Sequence, residues 1–224
     1  MTYRRITVKL SAMRPTLLVF ALIAGCSSTC FAGRPLSVDD ANTADAGTGN
    51  IDFWFTRAPG NVNGWTLSPA YGIADGIELG ATWATDTTNN TSASTLQLKF
   101  RLTAAKDQGC NFGTSIGVTQ ASDVSGNTPF MSALVTCNLQ SGSVNLNLGL
   151  SRSPDSPTLK TWGLSFEREL GTFTPHIEIF GVEQSAPTVQ LGLRTMVTNS
   201  LQLDGSIGST RGETTYTLGM RFFF

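Results

Sequence analysis

Hydrophobic side chains recur at every second position along most of this chain, and this spacing constrains the fold more than any other feature. In a β-strand successive side chains point to opposite faces, so a period of two gives one apolar and one polar face. The clearest segment places Leu96, Leu98, Phe100 and Leu102 on one face and Gln97, Lys99 and Arg101 on the other. About twelve such segments follow one another between residues 50 and 224. The chain is therefore predicted to be all-β.

The scarcity of charge indicates what surrounds these strands. Charged residues make up 14% of the chain, against about 25% in an average soluble domain. A soluble barrel needs a charged outer face, whereas the polar positions here are mainly Gly, Ser, Thr, Asn and Gln. The longest apolar run, residues 16–25, is shorter than the roughly 20 residues of a membrane-spanning helix. We therefore predict a transmembrane antiparallel up-and-down β-barrel of about twelve strands, with ten or fourteen as alternatives and a soluble β-barrel as the competing class.

The links between the predicted strands alternate in length, as they do in outer-membrane barrels with short periplasmic turns and longer outer loops. Short turns are predicted at residues 74–76, 140–142, 170–171 and 199–200, and longer loops at residues 86–94, 121–129 and 151–157. The last strand ends on Phe224 and resembles the C-terminal signature of bacterial outer-membrane barrels. We therefore predict the bacterial outer membrane as the location. The predicted partners are its lipid and, through Phe224, the barrel-assembly machinery.

Residues 1–32 have the pattern of a secretory signal peptide, in which a basic stretch precedes an apolar one. Cleavage after Ala32 competes with cleavage before Cys26, where the sequence resembles a lipoprotein box. Residues 33–49 are predicted to be a periplasmic N-terminal segment or a plug, and residues 50–224 the barrel. Whether residues 33–49 close the periplasmic mouth or extend freely is left open by the sequence.

Charge and residue types exclude several functions. Cleavage after Ala32 removes four of the 15 basic residues and leaves 11 against 16 acidic ones, a formal charge of −5. This balance argues against binding nucleic acid through bulk charge. The sequence has one histidine, no HExxH motif and no pair of CxxC motifs, so neither a metal site nor a cofactor is predicted.

Charged side chains of both signs fall on the face that is predicted to line the lumen. Such residues usually form interior salt bridges that hold a small barrel closed, and we expect Glu78 to meet Lys99 and Arg101 on the neighbouring strand. The complete set is Asp52, Glu78, Lys99, Arg101, Glu167, His176, Glu178, Arg194, Asp204 and Arg221.

Two cysteines lie where a hairpin would bring them together. A hairpin centred near Asp123 and Val124 places Cys110 opposite Cys137 on one face. Disulfides persist in the periplasm, so a bridge between these residues is predicted, and two reduced, lipid-facing thiols are the alternative.

One constellation raises the question of an enzyme. If residues 170–171 form a two-residue turn, Ser165 lies opposite His176, with Glu178 and Glu167 nearby, which permits a Ser/His/Glu arrangement. It would face the lumen, away from the acyl chains of the bilayer. We therefore predict no catalytic residues and no enzymatic activity.

Short motifs near the start of the barrel resemble one known family. They are Arg34-Pro35-Leu36, Asp39-Asp40-Ala41, Pro69-Ala70-Tyr71-Gly72-Ile73 and Asp75-Gly76-Ile77-Glu78-Leu79-Gly80. They are similar to the N-terminus and the second and third strands of the outer-membrane proteins associated with the meta-pathway of phenol degradation. The resemblance implies passive uptake of small hydrophobic or aromatic compounds, with such compounds as ligands. A structural or adhesive barrel with a filled lumen is the alternative, and a lipid-modifying enzyme ranks third.

Overall fold

Antiparallel strands close into one barrel in the computed structural model, which describes residues 36–224. The strands are β1 Gly49–Ala58, β2 Val62–Ala74, β3 Ile77–Asp86, β4 Thr91–Arg101, β5 Gly109–Ala121, β6 Asn127–Leu139, β7 Gly142–Ser151, β8 Leu159–Glu167, β9 Phe173–Val182, β10 Thr188–Thr198, β11 Leu201–Thr210 and β12 Glu213–Phe223. Each strand pairs with its neighbours in chain order, and β12 pairs with β1. The predicted all-β barrel of twelve strands is confirmed. The predicted signal peptide and Cys26 lie outside the described residues.

The two faces of the barrel wall differ as the period of two predicts. Outward side chains are large and apolar, and Leu148 and Leu218 are 57% and 68% exposed. Inward neighbours such as Asn147 and Thr217 are polar and buried. An apolar outer face around a polar interior is the arrangement of a bilayer-spanning barrel. Among residues 36–224, no helix is long and apolar enough to cross a membrane.

The links at the two ends of the barrel differ in length less than the sequence predicts. At the end where β1 begins and β12 finishes, which we call the terminal end, the links are residues 75–76, 102–108, 140–141, 168–172 and 199–200. At the opposite end they are residues 59–61, 87–90, 122–126, 152–158, 183–187 and 211–212. Thr91 and Thr128, which the sequence places in loops, join strand ladders instead. Their branched side chains suit extended backbone.

The β5–β6 hairpin has the predicted register. Cys110 lies opposite Cys137 and is joined to it by a disulfide bond. The predicted bridge is confirmed.

The β8–β9 hairpin differs from its predicted register by two positions. Leu170 faces Phe173 across the turn, and Gly171 has φ +65°, a conformation that favours glycine. The turn centre is thus one residue later than predicted, which moves each partner by two positions. Ser165 lies opposite Glu178, and His176 lies opposite Glu167, so the predicted pairing of Ser165 with His176 is wrong.

Candidate functional site: the lumen and the segment inside it

Residues 36–48, which we call the lumen segment, precede β1. Residues 36–44 are buried or half-buried inside the barrel, and residues 45–48 are exposed at its terminal end. Val38 and Ala41 are fully buried. Val38 packs against Gly163 of β8, whereas the backbone of Asp45 lies against Gly72 of β2. The lumen segment therefore crosses the interior from one wall to the opposite wall.

Wall side chains bind the backbone of the lumen segment at its beginning. The Glu178 carboxylate accepts hydrogen bonds from the backbone N–H groups of Ser37 at 2.6 Å and Val38 at 2.9 Å. Asn147 makes a reciprocal pair with Asp39. Its Oδ1 accepts from the Asp39 N–H at 2.6 Å, and its Nδ2 donates to the Asp39 carbonyl at 2.7 Å. These hydrogen bonds are made to backbone groups of the lumen segment, so they do not depend on which side chains the segment carries.

The same mode of contact continues towards the terminal end. The Ala41 N–H donates to Thr136 Oγ1 at 2.8 Å, and the Ala44 N–H donates to Glu78 Oε2 at 2.7 Å. Backbone pairing with β2 follows, where Gly47 N–H donates to the Gly72 carbonyl and Gly72 N–H donates to the Thr48 carbonyl, both at 2.9 Å. Four wall side chains and strand β2 thus form hydrogen bonds with peptide groups along the length of the lumen segment.

The wall acceptors are themselves held in place by hydrogen bonds. Thr136 Oγ1 donates to Asn145 Oδ1 at 2.7 Å, so the lone pairs of Thr136 Oγ1 remain to accept from the Ala41 N–H group. Asn145 Nδ2 donates to Ser165 Oγ at 3.1 Å, and Gln190 Nε2 donates to Glu178 Oε1 at 2.7 Å. Fixed orientation of this kind lowers the entropy that the wall loses when it binds a chain.

One buried ion pair adds charge recognition to these backbone contacts. Lys99 Nζ lies 2.8 Å from Asp39 Oδ1 and 3.7 Å from Asp40 Oδ1. The side chains of Lys99 and Asp39 are 5% and 3% exposed. An ion in such a site depends strongly on its partner, because an unpaired buried charge is costly.

The expected group of Glu78, Lys99 and Arg101 is divided among other partners. Lys99 binds the lumen segment, Glu78 accepts from the Ala44 backbone, and Arg101 pairs with Asp75 in the β2–β3 turn. The sequence prediction paired the wall charges with each other, because the sequence does not show which wall residues the N-terminal segment would contact.

The remaining predicted lumen charges also lie on the inner wall. Asp52 and Arg221 form a two-point pair at 2.6 and 2.7 Å, and Arg194 lies 2.7 Å from Glu167. His176, Glu178 and Asp204 are buried.

Three wall glycines leave space for the segment. An added Cβ on Gly163 would lie 2.7 Å from Val38 Cγ2, and one on Gly113 would lie 2.9 Å from the Ala41 carbonyl oxygen. An added Cβ on Gly72 would overlap the Asp45 carbonyl oxygen. By contrast, a Cβ on Gly80 would have only the Pro69 carbonyl oxygen nearby, at 3.9 Å. The lumen segment therefore approaches the wall closely at Gly72, Gly113 and Gly163, whereas the space in front of Gly80 is empty.

A cavity of about 250 Å³ remains between the lumen segment and strands β1 to β4 and β12. Charges of both signs line it, and Phe223 contributes an aromatic surface that lies under the Arg221 guanidinium, 5.6 Å from ring centroid to Cζ. Other lining residues, among them Ser68, Thr82, Thr95 and Gln97, are polar. In residues 36–224 there is no group of three or more His, Cys, Asp and Glu side chains placed to hold a metal ion.

Sequence reasoning missed the residues that bind the lumen segment through neutral groups. Thr136 and Asn147 are ordinary polar strand positions, and nothing in their spacing marks them. The acidic pair Asp39 and Asp40 was visible as a motif, but its partner Lys99 lies 60 positions away from Asp39. Only the closed barrel brings these groups together.

A protein-family model matches most of the chain. The family model described as "Uncharacterised conserved protein UCP029691" matches residues 18–220. The chain belongs to this family. A search of curated protein sequences finds no match for this member.

Solved structures resemble this family member in fold, at low sequence identity. The KdgM porin aligns with a TM-score of 0.66 and 12% identity, covering 77% of this chain and 98% of that chain. The outer membrane protein Omp33 of Acinetobacter baumannii gives 0.58 and 9%, covering 79% and 98%. Outer membrane phospholipase A from Escherichia coli gives 0.51 and 13%, covering 90% and 97%.

These likenesses establish the fold, and the apolar outer face of the barrel wall agrees with the predicted location. This family member is a β-barrel of the bacterial outer membrane, as the sequence predicts. Its fold is shared with porins and also with an enzyme, so the fold alone does not assign a function. The relation to proteins of phenol degradation remains a prediction, since no comparison tests it.

Proposed function

We propose that the protein is a plugged channel through which small molecules cross the outer membrane when the lumen segment moves aside. The lumen segment is the plug, and the surrounding wall is the pathway. In this proposal residues 36–48, the described part of the predicted N-terminal segment that precedes β1, form a plug and not a free periplasmic tail.

The observation that carries the proposal is the polarity of the wall beneath the plug. Buried wall positions are mostly polar, among them Gln97, Asn111, Ser115 and Asn147. Buried polar groups need hydrogen-bond partners, and water can supply them once the plug leaves. A wall built only to pack tightly would gain more from apolar side chains. The lining thus suits an interior that alternates between plug and solvent.

Uptake of small hydrophobic or aromatic compounds is the narrower form of this proposal, and the family resemblance supports it. Phe223, beside the cavity, offers one aromatic surface to such a solute. The polar residues of the same cavity favour solutes that also form hydrogen bonds. The KdgM porin has been solved with an oligogalacturonate, so a barrel of similar fold accommodates a polar cargo.

The test uses two matched substitutions of lumen-facing glycines. Gly113→Val places atoms where the Ala41 backbone lies, whereas Gly80→Val enters open space. We expect Gly113→Val to raise the swelling rate of proteoliposomes in arabinose and the single-channel conductance above wild type. Gly80→Val should stay at or below the wild-type value.

The same variants separate the competing functions. Uptake of an apolar fluorescent dye by cells carrying each variant measures passage of hydrophobic compounds. If neither arabinose nor dye passes through the Gly113→Val barrel, the channel proposal fails and the structural or adhesive barrel is favoured. Passage of arabinose without dye would retain the channel and reject the hydrophobic cargo.

A further inference from the structure

We propose that the lumen vacated by the plug is a binding site for short peptides that carry an acidic residue. This inference rests on the proposed function, because the site is accessible only when the lumen segment has moved. It names the class of molecule that the pathway would recognise.

The contacts of the wall with the plug are contacts with a peptide backbone. Glu178, Asn147, Thr136 and Glu78 accept hydrogen bonds from the N–H groups of residues 37–39, 41 and 44 of the segment. None of these bonds requires a particular side chain on the bound chain. The segment bends at Ser37, Val38 and Ala41, and another short peptide that follows the same backbone path presents N–H groups to the same acceptors.

Removal of the plug takes away the N–H donors that it supplies to the wall. Asn147 and Glu178 are 3% and 1% exposed with the plug in place, and once it leaves their oxygens can accept from water or from another N–H donor. A solute that brings N–H donors replaces what the plug supplied. A sugar acid or another polyanion would instead set its carboxylates against Glu178 and Glu78.

The shape of the wall selects a narrow chain. Gly72, Gly113 and Gly163 allow close approach of the bound backbone and of a small side chain, since any Cβ at these positions would meet the segment. A peptide with small residues at the positions of Val38 and Ala41 fits this surface. A bulky aromatic residue at the Ala41 position does not.

Lys99 supplies the preference for an acidic residue. Among the ion pairs of residues 36–224, Arg221 and Arg194 have acidic partners on the barrel wall, whereas both acidic partners of Lys99 belong to the plug. When the plug leaves, Lys99 loses both of these partners, and an anionic side chain of an incoming peptide can replace them in competition with Glu78, which lies opposite Lys99 on β3. The requirement is for one acidic residue in register with the backbone contacts.

The experiment uses the full chain with the substitution Ala41→Trp, which displaces the plug without altering the wall. A fluorescein-labelled peptide with the sequence of residues 36–46 is the probe, and a second peptide has Lys at the position of Asp39. We expect the acidic peptide to bind at least about tenfold more tightly than the Lys peptide, because like charges would meet at Lys99. In the double variant Ala41→Trp/Lys99→Glu the order of affinities should reverse.

Two further measurements keep the result decisive. Heat-modifiable migration in SDS gels checks that Ala41→Trp folds, and Val38→Trp is the second plug-displacing variant. Conductance of the same samples reports on the plug itself. If conductance rises but both peptides bind equally or not at all, the peptide site is refuted and the channel proposal stands. If conductance stays at the wild-type value in both folded variants, the plugged-channel proposal has failed.

Discussion

At the scale of single residues, the lumen segment determines which groups the inward-facing wall side chains bind. Lys99 occupies a strand position that the alternation predicts correctly, yet its partner Asp39 comes from a segment outside the strands. Glu178 likewise binds two backbone N–H groups of that segment. Position on the inner face could be read from the sequence, whereas identity of the partner could not.

Lys99→Met should release the plug, since it leaves the Asp39 carboxylate buried without its cation. Breaking a buried pair in this way costs about 3–5 kcal/mol. Val38 is buried in the wild-type lumen. A cysteine introduced there by Val38→Cys reports release of the plug through its reaction with a water-soluble maleimide. We expect labelling to be slow in the Val38→Cys background and fast after Lys99→Met. Adding Asp39→Asn to Lys99→Met should restore much of the protection of the introduced cysteine from maleimide, because no unpaired carboxylate is then buried. Equal labelling rates in Val38→Cys alone, with Lys99→Met and with both further substitutions would contradict the role of this ion pair.

At the scale of elements, the hairpins differ in how firmly the sequence determines their register. The disulfide partners Cys110 and Cys137 mark the register of β5 and β6 at a distance from the turn. The β8–β9 hairpin has no such marker, and placing its turn one residue early moved every pair by two positions. Both registers keep the apolar residues outside, so hydrophobic pattern alone does not distinguish them.

Removing the disulfide should destabilise the barrel without opening it. The bridge joins residues separated by 27 positions, and loss of a disulfide typically costs about 2–4 kcal/mol. Cys110→Ser/Cys137→Ser should therefore unfold at lower urea concentration than wild type in lipid vesicles. Reduced wild-type protein is the matched control and should unfold with the double variant. A midpoint equal to that of oxidised wild type would show that the bridge adds no stability.

At the scale of the whole molecule, the barrel separates two environments. Its outer face presents large apolar side chains to lipid, and its inner face presents polar side chains to the plug and to a charged cavity. Since each strand alternates between these faces, a low content of charge and an ordinary hydrophobic content satisfy both. This division explains how residues 36–224, in which no helix is long and apolar enough to cross a membrane, form a membrane barrel.

Leu148→Arg should lower the free energy of unfolding by an amount that shows how deeply position 148 lies in the bilayer. Leu148 is outward-facing in the middle of β7, and an arginine near the bilayer midplane of a barrel costs about 2–4 kcal/mol. Gln120→Arg, at an exposed position near the end of β5, is the control and should cost about 0–1 kcal/mol. Urea unfolding in vesicles gives both values, and equal costs would place Leu148 outside the hydrocarbon layer.

The sequence by itself determined the class, the strands, the two faces and the cysteine pair. Period-two spacing is a local property, and a strand must place alternate side chains on opposite faces wherever it lies. The tertiary structure alone decided that residues 36–44 lie in the lumen, that Lys99 binds Asp39, and that Glu178 and Asn147 bind the backbone of that segment. These contacts join positions far apart in the chain, because closing a barrel brings every inner face around one common space.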